Sequence, residues 1–106
     1  IYGYINERVS QVDLDTNKYN EIAEVLKALA HPVRLCIVRG LIEKGGCNVC
    51  HMQECLGMPQ STTSQHLQKL RSAGIISGQR KGLEVTYKVC DQRVVELIKL
   101  IFPEQK

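Results

Sequence analysis

Apolar side chains recur along this chain with the period of a helix, then with that of a strand, then with that of a helix again. Over residues 19–30, Tyr19, Ile22, Ala23, Leu26, Leu29 and Ala30 fall three and four apart, which predicts an amphipathic helix. The stretch "HPVRLCIVRGLIEKGG" predicts a second. Pro32 suits a first helical position, where a missing N–H is no loss, and Gly45 and Gly46 suit the end; Leu35, Val38, Leu41 and Ile42 share one face. "VCHMQECL" predicts a short third helix, capped by Asn48 and stopped by Gly57 and Pro59. "QSTTSQHLQKLRSAG" predicts a fourth, starting at the hydroxyl-rich Ser61 and Thr62 and closing at Gly74. Only Thr63, Leu67, Leu70 and Ala73 line its inner face.

The period then changes. "IISGQR", a turn at Lys81 and Gly82, and "LEVTYKV" predict a β-hairpin, because Leu83, Val85, Tyr87 and Val89 alternate with Glu84, Thr86 and Lys88. Asp91 can cap a last helix with Val94, Val95, Leu97, Ile98, Ile101 and Phe102 apolar, ended by Pro103. No repeat, linker or low-complexity segment interrupts this order, so residues 1–106 are expected to form one domain, with 1–18 as a flexible N-terminal arm. A short helix, a tight turn, a helix with a polar outer face and a basic-tipped hairpin make a winged helix-turn-helix: mainly α, about five helices, with a small β-hairpin wing.

Charge gives that outer face a partner. Residues 60–90 hold Lys69, Arg71, Arg80, Lys81 and Lys88 against Glu84, a local charge of +4, while the rest of the chain sums to −1. A polar helix face is usually just solvated, but solvated faces carry both signs, and no acidic residue occurs from 60 through 82. A polyanion explains that absence better. An α-helix fits the DNA major groove and reads base edges through hydrogen-bonding side chains, which makes Gln60, Ser61, Thr62, Ser64, Gln65, His66, Gln68 and Lys69 the expected helix contacts. Arg80 and Lys81, at the hairpin tip, are expected on phosphates.

Other classes drop out on composition. Hydrophobic residues at 43% and charged residues at 24% exclude a disordered or collagen-like chain. Without a run of about 18 apolar residues or a basic-then-apolar start, no membrane partner is expected, and a cytoplasmic location is. His66 has no Ser, Asp or Cys placed to make a catalytic triad with it, and His31, just before Pro32, is expected to cap or pack.

The stretches "LKALAHPVRLCIVRGL", "NVCHMQECLGMPQSTTSQHLQKLRSAGII" and "RKGLEVTYKV" resemble the ArsR/SmtB-type bacterial repressors, and the resemblance covers about residues 19–102. It implies a homodimer through the first and last helices, with the fourth helix in the major groove, the wing along the backbone, and repression relieved by an inducer. Tyr19, Ile22, Val94, Leu97, Ile98, Ile101 and Phe102 are the expected interface residues, and two-fold symmetry then asks for an inverted-repeat operator in double-stranded DNA.

The segment "GGCNVCHMQEC" concentrates three of the five cysteines. Its Cys-x-x-Cys-His pattern matches haem attachment, which is rejected because no export signal accompanies it and a helix-turn-helix has no room for haem. Structural zinc needs four ligands, and Cys50 and Cys55 stand about 140° apart on a helix. Metal sensing in many members of the resembled family uses a Cys-x-Cys pair in the third helix; here Asn48 occupies the first position. The other common site, on the last helix, keeps Asp91 but has Arg93 in place of histidine. No metal site is therefore expected, and no resident cofactor.

Three readings stay open for Cys47, Cys50 and Cys55: thiol redox or other cysteine modification, As(III) or another thiophilic ligand on the three thiolates, and inert packing. Cys36 is expected in the core; Cys90 falls on the polar side of the strand alternation. The leading expectation is a repressor released by a thiol-directed signal. A dithiol redox protein using Cys47 and Cys50 is the alternative from another class, disfavoured because helices rather than an α/β sheet surround the pair. A third is a winged helix used for protein interaction without DNA, which the acid-free third of the chain argues against.

Overall fold

A computed structural model describes residues 16–103. Within them lie α1 (Thr16–Leu29), α2 (Pro32–Lys44), β1 (Cys47–Asn48), α3 (Val49–Leu56), α4 (Gln60–Ser72), β2 (Ile76–Lys81), β3 (Glu84–Val89) and α5 (Gln92–Ile101). The expected N-terminal arm lies outside the described residues up to 15; residues 16–18 already belong to α1.

Local chemistry sets the boundaries. His31 Nδ1 accepts from the Val33 N–H at 3.1 Å and so caps α2, with Pro32 at its first position. Gly45, at φ +75°, ends that helix and returns its N–H to the Leu41 carbonyl at 2.9 Å. Asn48 caps α3 by accepting from the His51 N–H at 2.8 Å. Asp91 caps α5 and holds the Arg93 guanidinium at 2.9 Å; the hydrogen bond from that side chain keeps the carboxyl below its ordinary range. Helix α4 begins one residue before the hydroxyl pair, at Gln60, behind Pro59 and without a side-chain cap.

The helices close on one core. Val25, Ala28 and Leu29 of α1, Ile37, Val38 and Leu41 of α2, Met52 of α3, Leu67 and Leu70 of α4, and Val94 and Ile98 of α5 are buried, with Ile75 and Ile76 at the entry to the wing. One expectation changes here. Helix α1 turns Val25, Ala28 and Leu29 inward and leaves Tyr19, Ile22 and Leu26 exposed on the protomer, where an interface was expected of Tyr19 and Ile22. Val94 and Ile98 are 1% and 2% exposed within a single protomer, so they belong to its core and are not interface residues. Thr63 is buried too, its hydroxyl donating to the Pro59 carbonyl at 3.2 Å.

The wing is a three-stranded antiparallel sheet, ordered β1-β3-β2, and not the two-stranded hairpin expected. Cys47 pairs with Tyr87 and Asn48 with Thr86; a two-residue strand shows no periodicity for sequence to reveal. The hairpin loop is Gly82 and Leu83, one residue later than expected. Gly82 takes the φ of +64° that such a loop asks of its first residue, and Leu83 sits at the tip, 98% exposed, although the alternation had placed it on the apolar side of the strand. Gly78 faces Tyr87 across the ladder, and a Cβ there would meet the ring at 2.8 Å.

Candidate nucleic-acid interface

Helices α3 and α4 meet at the turn of Gly57, Met58 and Pro59, and Thr63, Leu67 and Leu70 fasten α4 to the core. That leaves Gln60, Ser61, Ser64, Gln65, Gln68 and Lys69 exposed along its outer side, with Thr62 half-buried. No side chain caps α4, so the first-turn amides stay open to an anion. Arg80 and Lys81 are exposed on the wing strand, and Arg80 Nε donates back to the Gly82 carbonyl at 3.3 Å, bracing the tip. Lys88 and Arg71 are exposed as well.

His66 is less exposed than its neighbours Gln65 and Gln68 on α4. It is half-buried, its ring 4.7 Å from that of His31, and Arg34 Nη1 stands 3.4 Å from its Nδ1. Arg34 in turn donates through Nε to the Ala28 carbonyl at 2.6 Å, which fixes it at the end of α1. Burial, and then the neighbouring His31, Arg34 and Lys69, push the His66 ring below its ordinary value of 6.5. The ring thus packs between α4 and the start of α2, while Gln65 beside it is exposed.

Cys47, half-buried in β1, donates through Sγ to its neighbour's carbonyl, Asn48 O, at 3.5 Å. Cys50 is the second residue of α3, and its side chain is outside the described residues. Cys55, exposed on α3, has Lys44 Nζ at 3.8 Å and His51 Nε2 at 3.7 Å. Cys36 is exposed rather than in the core: it stands about 150° from the centre of the apolar stripe by the helical period, a signal the sequence did contain. Cys36, Cys47 and Cys55 come together on the wall of one cavity of about 100 Å³, with Ile37, Leu41, Met52 and Leu56. Among the described residues no three His, Cys, Asp or Glu side chains are placed to hold a metal ion, and no helix is long and apolar enough to cross a membrane.

This fold and surface are those of a winged helix-turn-helix regulator of transcription. A helix-turn-helix domain profile matches residues 29–79. The transcriptional repressor PagR of Bacillus anthracis is 36% identical over 102 residues, covering 96% of this chain and 97% of its own length. Its crystal structure superposes with a TM-score of 0.77 over 83% of this chain and all of PagR. An HTH-type transcriptional regulator of Methanocaldococcus jannaschii is 42% identical over 84 residues, 79% of this chain and 94% of its own. The homodimeric winged helix-turn-helix domain Mb0332 of Mycobacterium bovis, described as a possible ArsR-family regulator, matches at 30% identity and a TM-score of 0.75, covering 85% of this chain and 84% of that domain. The chain belongs to the ArsR/SmtB-type family of helix-turn-helix transcriptional repressors.

Proposed function

We propose that the protein is a cytoplasmic, homodimeric repressor that binds an inverted-repeat operator and leaves it when its thiols are modified. The observation that supports DNA reading best is the exposed, acid-free side of α4 continuing into the wing tip at Arg80 and Lys81. Exposed Tyr19, Ile22 and Leu26 on α1 and Leu100 and Ile101 on α5 supply an apolar surface suited to a second copy, as in the homodimeric Mb0332 domain. Selection of duplexes from a random pool tests the operator: recovered sequences lacking two-fold symmetry overturn the dimeric reading.

The thiol-directed reading rests on β1. Cys47 sits in a strand that pairs with wing strand β3 and runs straight into α3, which packs on α4. Strain at Cys47 therefore reaches both the wing and the reading helix. Closing a disulfide between Cys47 and Cys50 constrains the start of α3, and a differential affinity of a few kcal/mol empties an operator. A Cys47→Ser, Cys50→Ser protein that still releases its duplex under diamide rules this pair out.

Arsenite on the same thiols is the second reading, favoured by the shared cavity wall of Cys47 and Cys55. Release by arsenite, with none by diamide, selects it. The dithiol-carrier alternative loses ground because the strand that holds Cys47 and precedes Cys50 belongs to an antiparallel wing, and the relatives are regulators.

A further inference from the structure

We propose that Cys55 is a covalent capture site for small electrophiles of the α,β-unsaturated carbonyl class, and that the cavity between α2, β1 and α3 holds the hydrocarbon body of the captured molecule. The inference rests on the thiol-directed reading and names a ligand chemistry for it. Among the described thiols only Cys55 has a cation hydrogen-bonded to sulfur: Lys44 Nζ at 3.8 Å, itself 3.1 Å from His51 Nε2, which lies 3.7 Å from the same sulfur. The thiolate is the nucleophilic form of cysteine, and an ammonium donating to sulfur supplies its counter-charge. The sulfurs of Cys47 and Cys90 stand against backbone carbonyls, which offer no counter-charge.

The second observation is the cavity. Besides Cys36, Gly40, Lys44 and Cys47 its walls are the apolar Ile37, Leu41, Met52 and Leu56, and its volume of about 100 Å³ is of the order of apolar cavities, about 150 Å³, that admit a benzene-sized guest. A peroxide or a bare metalloid has no use for such walls; a molecule carrying a short hydrocarbon chain does. In the reaction the sulfur electron pair forms a C–S bond to the β-carbon as the C=C π pair shifts toward the α-carbon and carbonyl. The proton given up by the thiol, relayed through His51, completes the α-carbon. The thiol adds across the double bond, nothing leaves, and no oxidant is consumed.

The test treats the full chain with trans-2-hexenal and, separately, with acrylamide, a polar acceptor, following each cysteine by peptide mass spectrometry and measuring affinity for the selected duplex. Hexenal is expected to modify Cys55 about tenfold faster than Cys90, acrylamide with a clearly smaller preference that reflects the Lys44 counter-charge alone, and Lys44→Gln to slow Cys55 toward both. Gly40 lines the cavity, and a Cβ there meets nothing within 4 Å. Gly40→Leu should fill the space and bring the hexenal preference down to that of acrylamide while leaving the acrylamide rate unchanged; Gly40→Ala, which adds only a methyl, should reduce it part of the way and serves if the leucine variant fails to fold. Equal labelling of Cys55 and Cys90 by hexenal, or an undiminished preference in the filled variants, overturns the capture site. Labelling at Cys55 that leaves duplex affinity unchanged overturns the thiol-directed reading and leaves the capture chemistry standing.

Discussion

Tyr87 has one neighbour at Gly78 and another at Cys47, so its ring is the point where the wing's packing is decided. Gly78→Ala puts a methyl 2.8 Å from that ring, and the displacement should cost about 1–3 kcal/mol, read from urea unfolding. Leu70, with no exposed surface, should cost about 2–5 kcal/mol on truncation to Ala by the same measurement. On the DNA side, Arg80→Ala and Lys81→Ala should each flatten the salt dependence of binding by about one unit while leaving sequence preference intact. Gln65→Ala should instead relax preference at one position at a cost of about 1–3 kcal/mol. Capping and loop residues were legible from sequence at this scale, since Asn48, Asp91, Pro32 and Gly45 act through their own backbone chemistry. The orientation of His66 was not, because its partners come from a helix distant in the chain.

At the scale of elements, helical and strand periodicity located all five helices and the hairpin among the described residues, and missed what periodicity cannot carry: a strand of two residues, and the sides of a central helix. Helix α2 packs on α1, α4 and β3, so Ile37 is buried although it lies off the expected stripe. The contact of α2 with α4 at His66 has a pH dependence with a definite sign. The folded ring binds its proton more weakly than the unfolded chain, whose value is 6.5, so the contribution is complete above 6.5 and is lost as pH falls through that value toward the folded one. His66→Gln should therefore lose less stability than the parent between pH 7.5 and 5.5 on the ~6.5 histidine scale. Chemical denaturation at the two pH values checks this; an identical pH slope in both proteins contradicts it.

For the whole molecule, the distinction between buried and exposed apolar residues on α5 separates fold from assembly. Ile101→Glu, on a side chain 53% exposed, should yield a folded monomer by sedimentation with weakened duplex binding, because each half-site then binds alone. Val94→Ala should lower stability instead and leave the association of the folded fraction unchanged. Sequence could not divide these residues, since one helical stripe facing the core and another facing a partner overlap on so short an element.

The pairing of β1 with the wing has a thermodynamic counterpart. If a Cys47–Cys50 disulfide weakens DNA binding by some factor, the same factor must disfavour the disulfide when DNA is bound, whichever event comes first. For a two-electron couple each tenfold in that factor is about 30 mV of reduction potential. A protein seated on its operator thus holds its dithiol at a lower fraction oxidised than the same protein free in solution. The ambient oxidant needed to clear an operator is set jointly by the cysteines and by how well the DNA sequence fits α4, so strong and weak operators of one repressor would open in sequence as the cell becomes more oxidising.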